Sequence, residues 1–149
     1  MKIRLYGTVN DSIVDGPGLR YVIFTQGCLH HCPGCHNPDS HAIDGGYIED
    51  TEQCLLEIDQ NPLLDGVTLS GGEPFLQATA LIHFVQKVKK RHLHVMIYSG
   101  YTFEEILELG DEEKKLLSLC DTLVDGKFIL SLKSMESVSY TYLTLPTNS

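Results

Sequence analysis

Short apolar runs alternate along the chain with segments of helical period. Leu19 to Gln26 (LRYVIFTQ) carries Tyr21, Val22, Ile23 and Phe24 without a polar break. A continuous run of this length predicts a strand buried on both faces. It stops at Gly27. Gly45-Gly46 marks a turn, and Thr51 to Ile58 reads as a short helix with Thr51 or Asp50 as its cap. Val67 to Leu69 is a second strand, entered after Asp65-Gly66 and left through Ser70-Gly71-Gly72. Leu81, Ile82, Val85 and Val88 repeat at helical spacing and predict a helix over Gln77 to Arg91. His94 to Tyr98 is a third strand. Thr102 opens a helix with Glu105 placed for a capping box. Asp111 to Leu119 is a further helix, and Asp121 to Asp125 a fourth strand, ended by Gly126.

Strands alternating with helices predict an α/β protein with a parallel sheet. In such folds ligands sit beyond the carboxyl ends of the strands. Each predicted strand is followed by an unusual loop: GCLHHCPGCHN, SGGEP, SGYT and DGKF. All four are expected to face one site.

At 149 residues the chain is expected to form one domain. Hydrophobic residues at 42% and charged residues at 21% exclude a disordered chain. No segment approaches the ~20 apolar residues of a membrane helix. MKIRLYGTVN lacks the apolar core of a signal peptide, so the expected location is the cytoplasm. The net charge of −9 argues against bulk nucleic-acid binding. Its excess acid lies on predicted helices, between residues 49 and 66 and again between 104 and 113, as solvated faces do. The one basic run, Lys87, Lys89, Lys90 and Arg91, closes a helix, where the macrodipole favours cations. Ser137 to Ser149 has no charged residue and is rich in Ser and Thr. The tail from 134 to 149 is therefore read as disordered or as an artefact of translation or cloning, outside a domain of residues 1–133.

Five cysteines in a reducing compartment do not make a disulfide framework. Three of them, Cys28, Cys32 and Cys35, are spaced C-x3-C-x2-C on a loop with Pro33 and Gly34. Three close thiolates suit a soft metal or an iron–sulfur cluster. A [4Fe–4S] cluster on three cysteines leaves one iron open to a ligand. A structural zinc is the alternative, with His30, His31, His36 or His41 as fourth ligand. Cys54, among Leu55, Leu56 and Ile58, and Cys120, opening a strand, read as core residues.

The cysteine loop resembles the cluster-binding signature of the radical S-adenosylmethionine (SAM) superfamily. Asp15-Gly16-Pro17-Gly18-Leu19-Arg20 before it and Cys35-His36-Asn37 at its end resemble the subgroup that activates glycyl-radical enzymes. Gly34 before the third cysteine, Tyr98 to Glu105, and Leu123-Val124-Asp125-Gly126 are similar to the activators of anaerobic ribonucleotide reductases. The resemblance covers roughly residues 3 to 130.

It implies a partial (β/α) barrel of the radical SAM type with a short parallel sheet. The sheet would be cut short at the C-terminus, since the family's last strand is not visible after Lys133. It implies a [4Fe–4S] cluster on Cys28, Cys32 and Cys35 that chelates SAM at its open iron. Reductive cleavage of SAM would give a 5′-deoxyadenosyl radical, and that radical would take a hydrogen atom from a glycine of the partner. Gly71, Gly72 and Glu73 would then meet the methionine end of SAM, with Glu73 as acceptor for its ammonium. Ser99 would lie near the ribose, and Asp125 and Lys127 near the carboxylate or ribose. Arg20 would pair with an acid under the sheet. The implied partners are an anaerobic ribonucleoside-triphosphate reductase and a one-electron donor such as a flavodoxin. The alternatives are an activator of another glycyl-radical enzyme, such as pyruvate formate-lyase, or a non-catalytic Fe–S or zinc module.

Overall fold

A computed structural model describes residues 1–27, 45–125, 128–132 and 144–146, the side chains of 128–131 and 144–146 excepted. Cys28, Cys32 and Cys35, the four histidines near them, Lys127 and most of the 134–149 tail lie outside the described residues. In chain order the elements are β1 (Lys2–Ser12), β2 (Arg20–Thr25), β3 (Tyr47–Asp50), α1 (Thr51–Asp59), β4 (Gly66–Gly71), α2 (Ala78–Lys89), β5 (His94–Tyr98), α3 (Phe103–Leu109), α4 (Asp111–Leu119), β6 (Thr122–Val124), β7 (Phe128–Ser131) and β8 (Thr144–Pro146).

The strands form one mixed sheet in the order β3-β1-β2-β4-β5-β6-β7-β8. The expected parallel sheet is its centre, β2-β4-β5-β6. β1 and β3 extend it on one side and β7 and β8 on the other, all by antiparallel pairing. β1 escaped the sequence reading because it is a half-solvated strand. Ile3 and Leu5 are buried while Lys2 and Tyr6 are exposed, so its signal is a short alternation and not an apolar run. β3 is four residues long with Tyr47 and Ile48 exposed.

Register assigns each side chain to a face. Val22, Thr68, Met96 and Thr122 lie side by side across the four parallel strands, as do Ile23, Leu69, Ile97 and Leu123. The second row faces the helices and shares one apolar core with Leu81, Phe84, Val85 and Val88 of α2 and with Ile106 and Leu116 of α3 and α4. Phe84 is fully buried, so Phe84→Ala is expected to cost about 3–5 kcal/mol.

The helix ends follow the sequence. Asp50 caps α1 by accepting the Glu52 N–H at 3.0 Å. At α3 both halves of the capping box form: Thr102 Oγ1 accepts the Glu105 N–H at 3.2 Å and Glu105 accepts the Thr102 N–H at 2.8 Å. α2 begins one residue later than expected, because Pro74–Gln77 forms a single 3₁₀ turn before it. Its basic end is held by carboxylates: Lys87 by Glu52, Lys89 by Asp121 at 2.5 Å, and Arg91 by Asp59 at 2.7 and 2.9 Å.

The opposite face is closed at its lower end by Asp15 to Gly18. The Asp15 carbonyl accepts the Thr68 hydroxyl at 2.9 Å. Gly16, at φ +139°, passes so close that a Cβ would lie 2.8 Å from Arg20 Cδ and 3.1 Å from Met96 Sδ. Arg20 does lie under the sheet, but its hydrogen-bond partners are not acids; Asp65 and Asp121 act on its charge only at longer range. Its guanidinium donates to Thr68 Oγ1 at 2.7 Å, to the Pro17, Val67 and His94 carbonyls at 2.8, 3.0 and 3.1 Å, and to His94 Nδ1 at 3.0 Å. The nearby carboxylate of Asp65 instead takes the Leu19 N–H at 2.8 Å. Because guanidinium only donates, His94 Nδ1 accepts, and its Nε2–H donates to Thr122 Oγ1 at 3.1 Å.

Candidate cofactor site at the carboxyl ends of the parallel strands

β2, β4, β5 and β6 run parallel, so residues 26–27, 71–73, 99–100 and 125 leave the sheet at one edge. Hydrogen bonds join these departures. Gly72 N donates to the Thr25 carbonyl at 2.8 Å and Glu73 N to the Gly27 carbonyl at 2.7 Å, so the glycine turn is fastened to the residue directly before Cys28. Ser99 N donates to the Val124 carbonyl at 2.9 Å, fastening the loop after β5 to the end of β6.

The Glu73 carboxylate is the hub. It is 1% exposed. Oε1 accepts the Ser99 hydroxyl at 2.9 Å and the Gly100 N–H at 2.8 Å. Oε2 accepts the same hydroxyl at 3.0 Å and the Phe75 N–H at 3.1 Å, which also caps the 3₁₀ turn. Ser99 Oγ in turn accepts the Tyr101 N–H at 2.9 Å. Four of the residues singled out in the sequence, Gly71, Gly72, Glu73 and Ser99, are thus brought together. Asp125, half-buried, sits at the same edge but is tied to the start of α3, accepting the Phe103 N–H at 3.3 Å.

Gly71 is required for a reason the sequence did not show. At φ +95°, a Cβ there would lie 2.3 Å from Thr25 N and 2.6 Å from Phe24 C. The missing side chain admits the backbone of the neighbouring strand.

Sequence reasoning also missed Gln77. Its amide nitrogen donates to the Arg4 carbonyl at 2.7 Å and to the Gln26 carbonyl at 3.3 Å, while its Oε1 accepts the Arg4 N–H at 2.7 Å. Arg4 also holds the far end of the cysteine segment, through Nη1 to the Gly45 carbonyl at 2.9 Å. No local pattern announces a contact between residues 73 positions apart.

The remaining thiols differ from cluster ligands in kind. Cys54 and Cys120 are 1% and 4% exposed. Burial pushes the Cys54 thiol up to about 11 and raises that of Cys120 as well, so both stay protonated. Among the described residues no three His, Cys, Asp or Glu side chains are grouped to hold a metal. The soft donor set that fits a cluster is the three-cysteine segment, which leaves β2 at this edge.

The molecule is thus an α/β protein that carries a three-cysteine segment directly after a parallel strand and braces its exit with a glycine turn. The chain belongs to the radical-SAM-type family described as the 4Fe–4S single cluster domain, which matches residues 14–141. It is similar to proteins named anaerobic ribonucleoside-triphosphate reductase-activating protein. That of Vibrio cholerae is 35% identical over 125 residues, which is 78% of this chain and 79% of the relative. That of Escherichia coli K12 is 30% identical over 131 residues, 81% of this chain and 82% of the relative. It is also similar to the pyruvate formate-lyase-activating enzyme of Listeria monocytogenes serovar 1/2a, at 33% identity over 97% of this chain and 59% of that enzyme.

Proposed function

We propose that the chain is the radical SAM oxidoreductase that activates an anaerobic ribonucleoside-triphosphate reductase by creating a glycyl radical on it. The supporting observation is the hydrogen bond from Glu73 N to the Gly27 carbonyl, together with the Glu73–Ser99 contact. These join the exit toward Cys28 to two loops at the carboxyl edge, where an α/β fold binds its ligand. The relatives' names support the choice of partner.

In this reading Cys28, Cys32 and Cys35 hold a [4Fe–4S] cluster. Gly71, Gly72, Glu73, Ser99 and Asp125 form the SAM side of the site. When bound, the cluster supplies the electron that cleaves SAM to methionine and a 5′-deoxyadenosyl radical, which removes a hydrogen atom from a glycine of the partner. The chain's own work is to orient and to shield. Gly71 lets the turn sit flush on β2, Glu73 fixes the turn against Gly100, and the Asp15–Gly18 segment closes the lower end of the face opposite the helices. The sheet is proposed to curve as a partial barrel within a domain of residues 1–133, with 134–149 as an atypical tail from which β8 nonetheless adds one short antiparallel strand beside β7. A flavodoxin-type donor in the cytoplasm would supply the electron. Among the described residues no helix is long and apolar enough to cross a membrane.

A second reading, activation of pyruvate formate-lyase, is supported by the Listeria enzyme's match over 97% of this chain. Both readings share one test of the site. Anaerobic reconstitution is expected to give about four irons per chain. The paramagnetic spectrum of the reduced cluster is expected to change on adding SAM. Cys28→Ala, Cys32→Ala or Cys35→Ala should abolish both, while Cys54→Ala and Cys120→Ala should retain them. An unchanged spectrum on a fully loaded cluster would count against SAM chelation.

A further inference from the structure

The geometry points to Glu73 and Ser99 as a positioning pair that sets the loop after β4 on the loop after β5, the Glu73 carboxylate acting through Ser99 and not by contact with the ammonium of SAM. This inference rests on the SAM site proposed above and assigns the pair's role within it.

Three observations carry it. Glu73 is 1% exposed and Ser99 9%, so the carboxylate is turned into the protein at the edge where a ligand would arrive. Its oxygens already meet donors from three residues: the Phe75 N–H, the Gly100 N–H and the Ser99 O–H. A hydroxyl has one proton, and Ser99 Oγ at 2.9 and 3.0 Å shares it between both oxygens, centring the carboxylate. Charge-assisted hydrogen bonds of this kind are short and directional. Finally, Ser99 Oγ accepts the Tyr101 N–H at 2.9 Å, so the arrangement runs on into the turn that leads to α3. Pulling Glu73 outward to an ammonium would strip buried N–H groups of their acceptor, a cost that offsets the attraction of the new ion pair.

A brace and a direct contact respond differently to the ligand's chemistry. S-adenosylhomocysteine has an amino-acid end with an ammonium. 5′-Methylthioadenosine has the same nucleoside and thioether but no ammonium. Affinity for each is measured by calorimetry on the cluster-loaded, full-length chain, as wild type, Glu73→Gln, Ser99→Ala and Ser99→Thr. A brace predicts that Ser99→Ala weakens both probes by a similar factor, about tenfold for one buried charge-assisted bond. Ser99→Thr, which keeps the hydroxyl, should restore both. Glu73→Gln should likewise weaken both alike, because its amide places N–H groups against N–H donors. Iron content and thermal midpoint, recorded alongside, identify a variant that fails to fold, in which case the two serine variants decide. A loss in Glu73→Gln confined to S-adenosylhomocysteine, or a Ser99→Ala variant that binds both probes as wild type does, overturns the inference and leaves the SAM site standing. A wild-type chain that binds neither probe overturns the SAM site and the inference with it.

Discussion

The side chain of Gln77 pairs with the backbone of Arg4 as a neighbouring strand would, donating to its carbonyl and accepting its N–H, both at 2.7 Å. The same Arg4 carbonyl accepts the Gln26 N–H at 3.2 Å, and the Arg4 guanidinium holds the Gly45 carbonyl. The chain before Cys28 and the chain returning at Gly45 therefore meet at one residue of β1. A strand inside the sheet, β1, thus holds both flanks of the cysteine segment.

Gln77→Leu keeps the volume of the side chain and removes its bonds to Arg4 and Gln26. The expected loss is about 1–3 kcal/mol, since half-buried backbone groups lose their side-chain partner. Urea denaturation measures it as a lowered midpoint at unchanged slope. Iron should also leave the reconstituted chain faster under a chelator than in the wild type. Equal release rates would separate Gln77 from the cysteine segment.

Gly71→Ala tests whether the glycine turn is a matter of packing against β2. Backbone lies 2.3 Å from where the methyl carbon would sit, and φ is +95°. Strain of this kind costs about 1–3 kcal/mol before any clash is counted. The variant is expected to melt lower even without cluster or SAM. A variant as stable as wild type that loses only SAM affinity would mean that the glycine serves the ligand alone.

These residues show what the sequence makes legible. The parallel centre was readable because each of its strands is a short apolar run ended by glycine or by a glycine-containing turn, and α3 because Thr102 and Glu105 cap it locally. That residues 26–27, 71–73 and 99–100 leave the sheet at one edge followed from strand direction alone. β1 gave a weaker signal, a short alternation of Lys2, Arg4 and Tyr6 with Ile3 and Leu5 in place of a continuous run. Arg20 was placed correctly, with acids near it, but its hydrogen bonds go to other groups. Carbonyls at strand starts and the imidazole of His94 leave no signature in a sequence. The role of Gln77 was equally invisible, because its partner lies in a different element.

Acid should destabilise the fold through carboxylates held below their ordinary range, Asp50 and Asp121 among them. The Glu52 N–H and the N-terminal ammonium hold Asp50 down to about 2, from an ordinary 3.8. Burial alone would raise Asp121, but the Lys89 ammonium and the Val95 N–H outweigh it and leave its carboxyl below 3.8. Folded pKa values below the unfolded ones contribute stability that is fully present above 3.8 and lost as pH falls through the folded values. The thermal midpoint of the cluster-free chain is expected to drop between about pH 4 and 2. Asp121→Asn should lower the midpoint at neutral pH and make that drop shallower. An equally steep drop in Asp121→Asn would show that Asp121 contributes nothing to the acid transition.

The glycyl radical itself decides whether the chain is an activator and of which enzyme. The reconstituted chain, SAM and a one-electron reductant are mixed anaerobically with an anaerobic ribonucleoside-triphosphate reductase, and separately with pyruvate formate-lyase, and each mixture is read by electron paramagnetic resonance. The expected result is a doublet on the reductase, split by the one α-hydrogen left on the glycine, and no signal on pyruvate formate-lyase. A doublet on pyruvate formate-lyase alone would contradict the choice of partner. A SAM-loaded, reduced cluster that produces no radical on either protein would contradict the activating function.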